Sequence, residues 1–76
     1  MITVKLYGLL RLNSGIKELS ADATSLRELT KHLEAKGLSA SELSGCNVII
    51  NGKPAGKRTP LKDGDIVQFF PPVAGG

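Results

Sequence analysis

A chain of 76 residues has room for one domain with a small core, because a chain this short buries only about 60% of its unfolded surface. Its single cysteine rules out an internal disulfide, and no apolar run approaches the roughly 20 residues of a membrane-spanning helix. The net charge is +3, but the one tyrosine and two phenylalanines do not interleave with the lysines as the stacking platforms of a nucleic-acid binder do.

Taken in chain order, Ile2, Val4 and Leu6 alternate with Thr3, Lys5 and Tyr7, the period-two pattern of a half-buried strand. The same segment has no basic n-region and no long apolar h-region, so no signal peptide is expected and a cytoplasmic location is. Gly8 to Gly15 reads as a loop, and Ile16 to Leu19 as a short second strand that completes a hairpin. Asp22-Ala23-Thr24-Ser25 is a helix start: Ser25 with Glu28 forms a capping box, with Thr24 as the alternative cap. Leu26, Leu29 and Leu33 fall on one helical stripe. Gly37 is placed to end that helix in a left-handed C-cap. Leu38 to Gly45 shows no clear period and has space for a helical turn around Ala40 to Leu43.

Val48-Ile49-Ile50 is a buried strand. Asn51-Gly52 is the strongest hairpin signal in the chain, and Lys53 to Ala55 returns as a short strand that Pro54 marks as an edge. Residues 56–64 form a loop. Asp63-Gly64 makes a tight turn, and Ile66 to Phe70 is a β-branched and aromatic last strand. One helix against one mixed sheet of four or five strands is an α+β, β-grasp-like arrangement. Residues 1–70 make the domain and residues 71–76 a tail.

The usual chemistries fail on these residues. The stretch Gly52-Lys53-Pro54-Ala55-Gly56-Lys57-Arg58-Thr59 has three residues between its glycines where a phosphate loop needs four. It also puts Arg58 where a magnesium-binding hydroxyl belongs and opens no helix. Cys46 and His32, each the only one of its type, are not brought together by any spacing, so neither a cysteine nucleophile nor a metal site is expected. Asp63 and Asp65 flank Gly64, and turn chemistry accounts for both. Lys53, Lys57, Arg58 and Lys62 read as a solvated cluster able to steer an acidic partner.

The chain finishes Phe69-Phe70-Pro71-Pro72-Val73-Ala74-Gly75-Gly76. Two prolines stop strand pairing and stiffen the exit. A Gly-Gly end is the thinnest backbone a protein offers, able to enter a tunnel too narrow for side chains. Together with Pro60-Leu61-Lys62-Asp63-Gly64-Asp65, the first strand with Tyr7 and Arg11, and the single helix, this ending resembles the small-subunit family of molybdopterin synthase. Those proteins are ubiquitin-like sulfur carriers of the β-grasp fold, and the resemblance implies first and last strands parallel and adjacent at the sheet centre.

The resemblance also implies a function. The chain is expected to be no enzyme by itself. Gly76 would be adenylated by a ubiquitin-activating-type enzyme, which supplies the ATP and magnesium, and then converted to a thiocarboxylate; this chain itself would bind no cofactor. The sulfur would go to cyclic pyranopterin monophosphate on the large synthase subunit, in an expected heterotetramer. In this scheme Gly75 gives clearance, and Pro71, Pro72, Val73 and Ala74 set the reach and touch the tunnel.

The period-two pattern puts Val67 and Phe69 on one face of the last strand and Ile66, Gln68 and Phe70 on the other. Tyr7 and Phe70 should therefore meet on the open side, with Leu61 bordering them. An exposed apolar patch needs a partner, and the family positions matching Tyr7, Arg11, Leu61 and Phe70 dock the two hosts. The competing readings are a sister carrier for thiamin or tRNA thiolation, a ubiquitin-like modifier joined to lysines, and a plain binding module whose tail does no chemistry.

Overall fold

The computed structural model describes residues 1–56 and 58–72. Its elements in chain order are β1 (Ile2–Leu6), α1 (Gly8–Ser14), β2 (Glu18–Ala21), α2 (Leu26–Ala35), α3 (Ala40–Ser44), β3 (Asn47–Ile50), β4 (Lys53–Pro54) and β5 (Ile66–Phe70). The five strands form one sheet in the order β2-β1-β5-β3-β4. The first and last strands are parallel neighbours at its centre, with Leu6 opposite Phe69. β2 and β3 flank them antiparallel. The short β4, with its proline, lies on the edge, where a missing N–H costs no ladder bond. The fold is the ubiquitin-like β-grasp, an α+β mixed sheet with helices on one side.

The core lies between sheet and helices. Ile2, Val4 and Leu6 of β1 and Val67 and Phe69 of β5 meet Leu26, Leu29 and Leu33 of α2, and all eight are buried. The capping box forms at the start of α2: Glu28 N–H donates to Ser25 Oγ at 3.2 Å. The Glu28 carboxylate reaches back one residue further than expected and accepts from the Thr24 N–H and hydroxyl, each at 3.3 Å. Gly37 has the left-handed φ of +100° expected past the helix end. The turn around Ala40 to Leu43 is a short helix capped by Ser39, whose Oγ accepts from Glu42 N–H.

Three expectations need correction. Gly8 to Gly15 is not a loop: residues 8–14 form α1, which buries Leu10 and ends at Gly15 with φ +72°. β2 runs over Glu18–Ala21 rather than Ile16 to Leu19, because its register puts Leu19 opposite Val4 and Ala21 opposite Ile2. Ile16 packs against the core from outside the strand. Leu61 does not border an open patch. The Leu61 N–H donates to the Thr24 carbonyl at 3.0 Å, Pro60 bridges to Ser25, and the Leu61 side chain drops into the core at 7% exposure.

Candidate functional site

The side of the sheet away from α2 carries no helix from among the described elements. There the outward residues of β5 sit beside those of β1 and β3: Gln68 is opposite Lys5 on one flank and Ile49 on the other. Parallel pairing of Leu6 with Phe69 makes Tyr7 and Phe70 the next neighbours up the ladder. Their rings stack with centroids 4.5 Å apart and planes 6° from parallel. Gln68 Nε2 donates to the Tyr7 hydroxyl at 2.9 Å, so the phenol's polar end is satisfied while its face holds Phe70. A stacked aromatic pair of this kind contributes about 0.5–1.5 kcal/mol beyond area burial.

The pair remains accessible: Phe70 is 36% exposed and Ile66, on the same face, 41%. Helix α1, which follows Tyr7, carries exposed apolar side chains of its own that the sequence pattern did not show. Leu9 and Leu12 are 61% and 76% exposed, and Arg11 lies exposed between them on the same short helix. Tyr7 immediately precedes that helix as its N-cap. Tyr7, Arg11 and Phe70 are thus brought to one end of the sheet, at the junctions where β1 runs into α1 and β5 runs into the tail. Leu61 is not with them. The available signal for the two leucines was the run Gly8-Leu9-Leu10-Arg11-Leu12, four apolar or small positions around one arginine, which cannot all face inward.

Phe70 leads directly into Pro71, half-buried, and Pro72, exposed. Val73, Ala74, Gly75 and Gly76 lie outside the described residues. The opposite end of β5 is locked by side chains. Asn51 Nδ2 donates to Asp65 Oδ1 at 2.8 Å, Ile66 N–H donates to Asn51 Oδ1 at 2.9 Å, and Lys62 N–H donates to Asp65 Oδ2 at 2.8 Å. The Lys62 amide first and the Asn51 amide second hold the Asp65 carboxyl below its ordinary pKa, as hydrogen bonds to the charged form do. Asp65 is therefore a turn lock, in keeping with the turn chemistry read from the sequence.

The other chemistry-bearing residues stay apart. The Cys46 thiol donates to the Glu42 carbonyl at 3.1 Å. Burial, and then the nearby Glu42 carboxylate, push its pKa up, the opposite of what an activated nucleophile needs. His32 is exposed on α2. Among the described residues, no cluster of histidine, cysteine and carboxylate side chains is placed to hold a metal ion, and no helix is long and apolar enough to cross a membrane.

Comparison with known proteins fits this geometry. The chain is similar to a structure of the complex of subunits 1 and 2 of molybdopterin-converting factor from Helicobacter pylori 26695. Identity there is 30%, coverage is 99% of this chain and 97% of that one, and the TM-score is 0.75. It is also similar to the BexX/CysO complex of Amycolatopsis orientalis, at 26% identity over 100% of both chains with a TM-score of 0.73. A third similar structure is Urm1 from Trypanosoma brucei, at 26% identity over 99% of this chain and 94% of that one, with a TM-score of 0.77. No curated protein sequence matches it. The family model that matches is that of the ThiS family, over residues 4–76. With all but the first three residues inside the match, the chain belongs to the ThiS family of ubiquitin-like sulfur carriers.

Proposed function

We propose that this carrier is the small subunit of a molybdopterin synthase, delivering sulfur as a thiocarboxylate on Gly76. The observation that carries the reading is the end of β5. A strand buried on its inner face finishes in an accessible Tyr7–Phe70 stack and passes at once into Pro71-Pro72-Val73-Ala74-Gly75-Gly76. The body then docks by its open face while the narrow tail enters the host's active site. The similarity to a chain of the molybdopterin-converting factor complex supports the choice of host.

The chemistry divides between this chain and its hosts. A carboxylate is a poor electrophile, because its leaving group would be oxide. Attack of the Gly76 carboxylate on the α-phosphate of ATP releases pyrophosphate and forms a mixed anhydride with AMP. A sulfide equivalent then adds at the carbonyl carbon and expels AMP, leaving a thiocarboxylate that is nucleophilic at sulfur. ATP and magnesium belong to the ubiquitin-activating-type enzyme. The large subunit then receives the sulfur for cyclic pyranopterin monophosphate, and each carrier brings one of the two sulfurs of the dithiolene. In this reading Tyr7, Arg11 and Phe70 hold the body on its hosts, joined by Leu9 and Leu12. Pro71 to Ala74 set the reach, Gly75 gives clearance, and the work takes place in the cytoplasm.

The test is the intact mass after incubation with ATP, magnesium, a sulfur source and a cognate activating enzyme. Replacement of one oxygen by one sulfur at Gly76 is expected, followed by loss of that sulfur to the pyranopterin when the large subunit is added. Loading without that transfer would move the acceptor to another thiolation route, such as that of thiamin or tRNA. Isopeptide conjugates in place of a thiocarboxylate would make the chain a protein modifier.

A further inference from the structure

We propose that Gly8 is a positioning residue for the tail, its bare Cα forming the seat on which the Pro71 ring fixes the point where the chain leaves the sheet. The inference deepens the sulfur-carrier reading above and rests on it. Parallel pairing sets Leu6 beside Phe69, so Tyr7 and Gly8 run alongside Phe70 and Pro71. A Cβ on Gly8 would lie 2.9 Å from Pro71 Cγ and 3.6 Å from its Cδ. The first distance is closer than real Cβ contacts come, and the atom it meets belongs to a closed ring that cannot swing aside as a flexible side chain does.

Gly8 also has φ +59°, but that does not distinguish it. Gly15, Gly37, Gly52 and Gly64 share a positive φ, and a Cβ on any of them would meet nothing within 4 Å. Backbone conformation alone explains those four. Of the five positive-φ glycines among the described residues, Gly8 alone is also pressed against a neighbour, and that neighbour is the first residue of the tail.

Two consecutive tail-root residues are therefore held by two consecutive residues of the β1–α1 junction: Phe70 by the Tyr7 ring and Pro71 by Gly8. With the root held, fewer arrangements separate a docked body from an engaged carboxylate. Positional precision of this kind is worth large factors in rate, and a misplacement of about 1 Å can cost about 100-fold. The seat should act on the chemical step, whereas the exposed docking residues should act on the encounter.

The test separates the contact from the backbone strain. Asn tolerates a left-handed φ better than other non-glycine residues, so Gly8→Asn adds a Cβ against Pro71 with the least conformational penalty. Pro71→Ala removes the ring from the other side and leaves Gly8 intact. Both variants, and the double variant, are assayed for ATP-dependent conversion of Gly76 to the thiocarboxylate by the cognate activating enzyme, with melting temperature measured in parallel. Gly8→Asn is expected to lower kcat about tenfold or more with little change in KM, and the double variant to be no worse than the poorer single one, as residues acting through one contact behave.

Wild-type kcat in Gly8→Asn, a rise in KM alone, or full multiplication of the two single effects would each overturn the proposal. If the wild-type chain itself is never loaded, the carrier reading fails first. The seat is then judged by proton NMR on the same samples. A cross-peak between the Gly8 α-protons and the Pro71 ring in the wild-type protein supports it, and absence of that cross-peak overturns it.

Discussion

The two faces of β5 are made of much the same residues and do different things. Inward, Val67 and Phe69 have no exposed surface; outward, Ile66 and Phe70 keep 41% and 36% of theirs. The sheet has helices on one side, so the apolar residues of that side are consumed in folding. Those of the other side are left over, and surplus apolar surface beside an aromatic stack is what a partner binds. Phe69 and Phe70, identical side chains at adjacent positions, thus divide between the core and the open face, and under the proposed function changes along this strand and its extension should fall into two classes.

The largest effect belongs to the outward class and lies beyond the strand. Deleting Gly76 is expected to abolish thiocarboxylate formation while the melting temperature stays at the wild-type value, read by intact mass and by circular dichroism. Full loading of the deletion variant would sink the scheme. Next comes the inward face. Phe69→Ala removes a ring with no exposed surface and should cost about 3–5 kcal/mol. That is a large share of the stability of a domain this size, read as a lower denaturant midpoint. If Phe69→Ala folds normally, the division between the faces is wrong.

Phe70→Ala should do the reverse. It loses the stack on Tyr7 and about 1 kcal/mol of stability. The binding cost is expected to show as a KM for the activating enzyme raised about tenfold or more, the size of a typical interface hot spot. Tyr7→Ala should give a similar rise, and the double variant should add little to either, because the two rings form one surface. A Phe70→Ala variant with wild-type KM and wild-type loading would leave the open face without its assigned role.

How much of this was legible in the sequence depended on how local the cause was. Alternation in β1 and β5, the Ser25 cap and the Asn51-Gly52 turn are written in neighbouring residues and were readable, whereas the facing of Tyr7 with Phe70 also needed the parallel pairing of β1 with β5 that the family resemblance implied. Helix α1 was not. It spans seven residues, its N-cap Tyr7 makes no side-chain capping bond, and its first turn has no acidic residue. With only Leu10 buried, it shows no apolar stripe either. It is stabilised instead by the tertiary site of Leu10 and by its left-handed stop at Gly15.

Leu61 was misplaced for a related reason. It lies in a segment without periodicity, and its burial is dictated by backbone contacts with Thr24 and Ser25, more than thirty residues away in the chain. The contact of Gly8 with Pro71 was invisible for the same cause. A glycine in sequence announces a permitted conformation, and only the packed structure says what fills the space a side chain would take.

The smallest effect sharpens the contrast between the two ends of β5. At its start, Asp65 accepts from Lys62 and Asn51, and its folded-state pKa lies below the ordinary carboxylate value, near 3.9. The unfolded chain therefore binds a proton more readily than the folded one in the acid range. The contribution is fully present above the unfolded pKa and is lost as pH falls through the folded pKa. Asp65→Asn should lower the melting temperature slightly at neutral pH, since its amide can meet the Lys62 N–H but presents a second donor to Asn51. The gap between variant and wild type should close as pH drops below about 4. A gap independent of pH would mean that the turn is held by shape and not by the charge. Loading of Asp65→Asn by the activating enzyme should be unchanged, because this lock secures the end of β5 farthest from the tail.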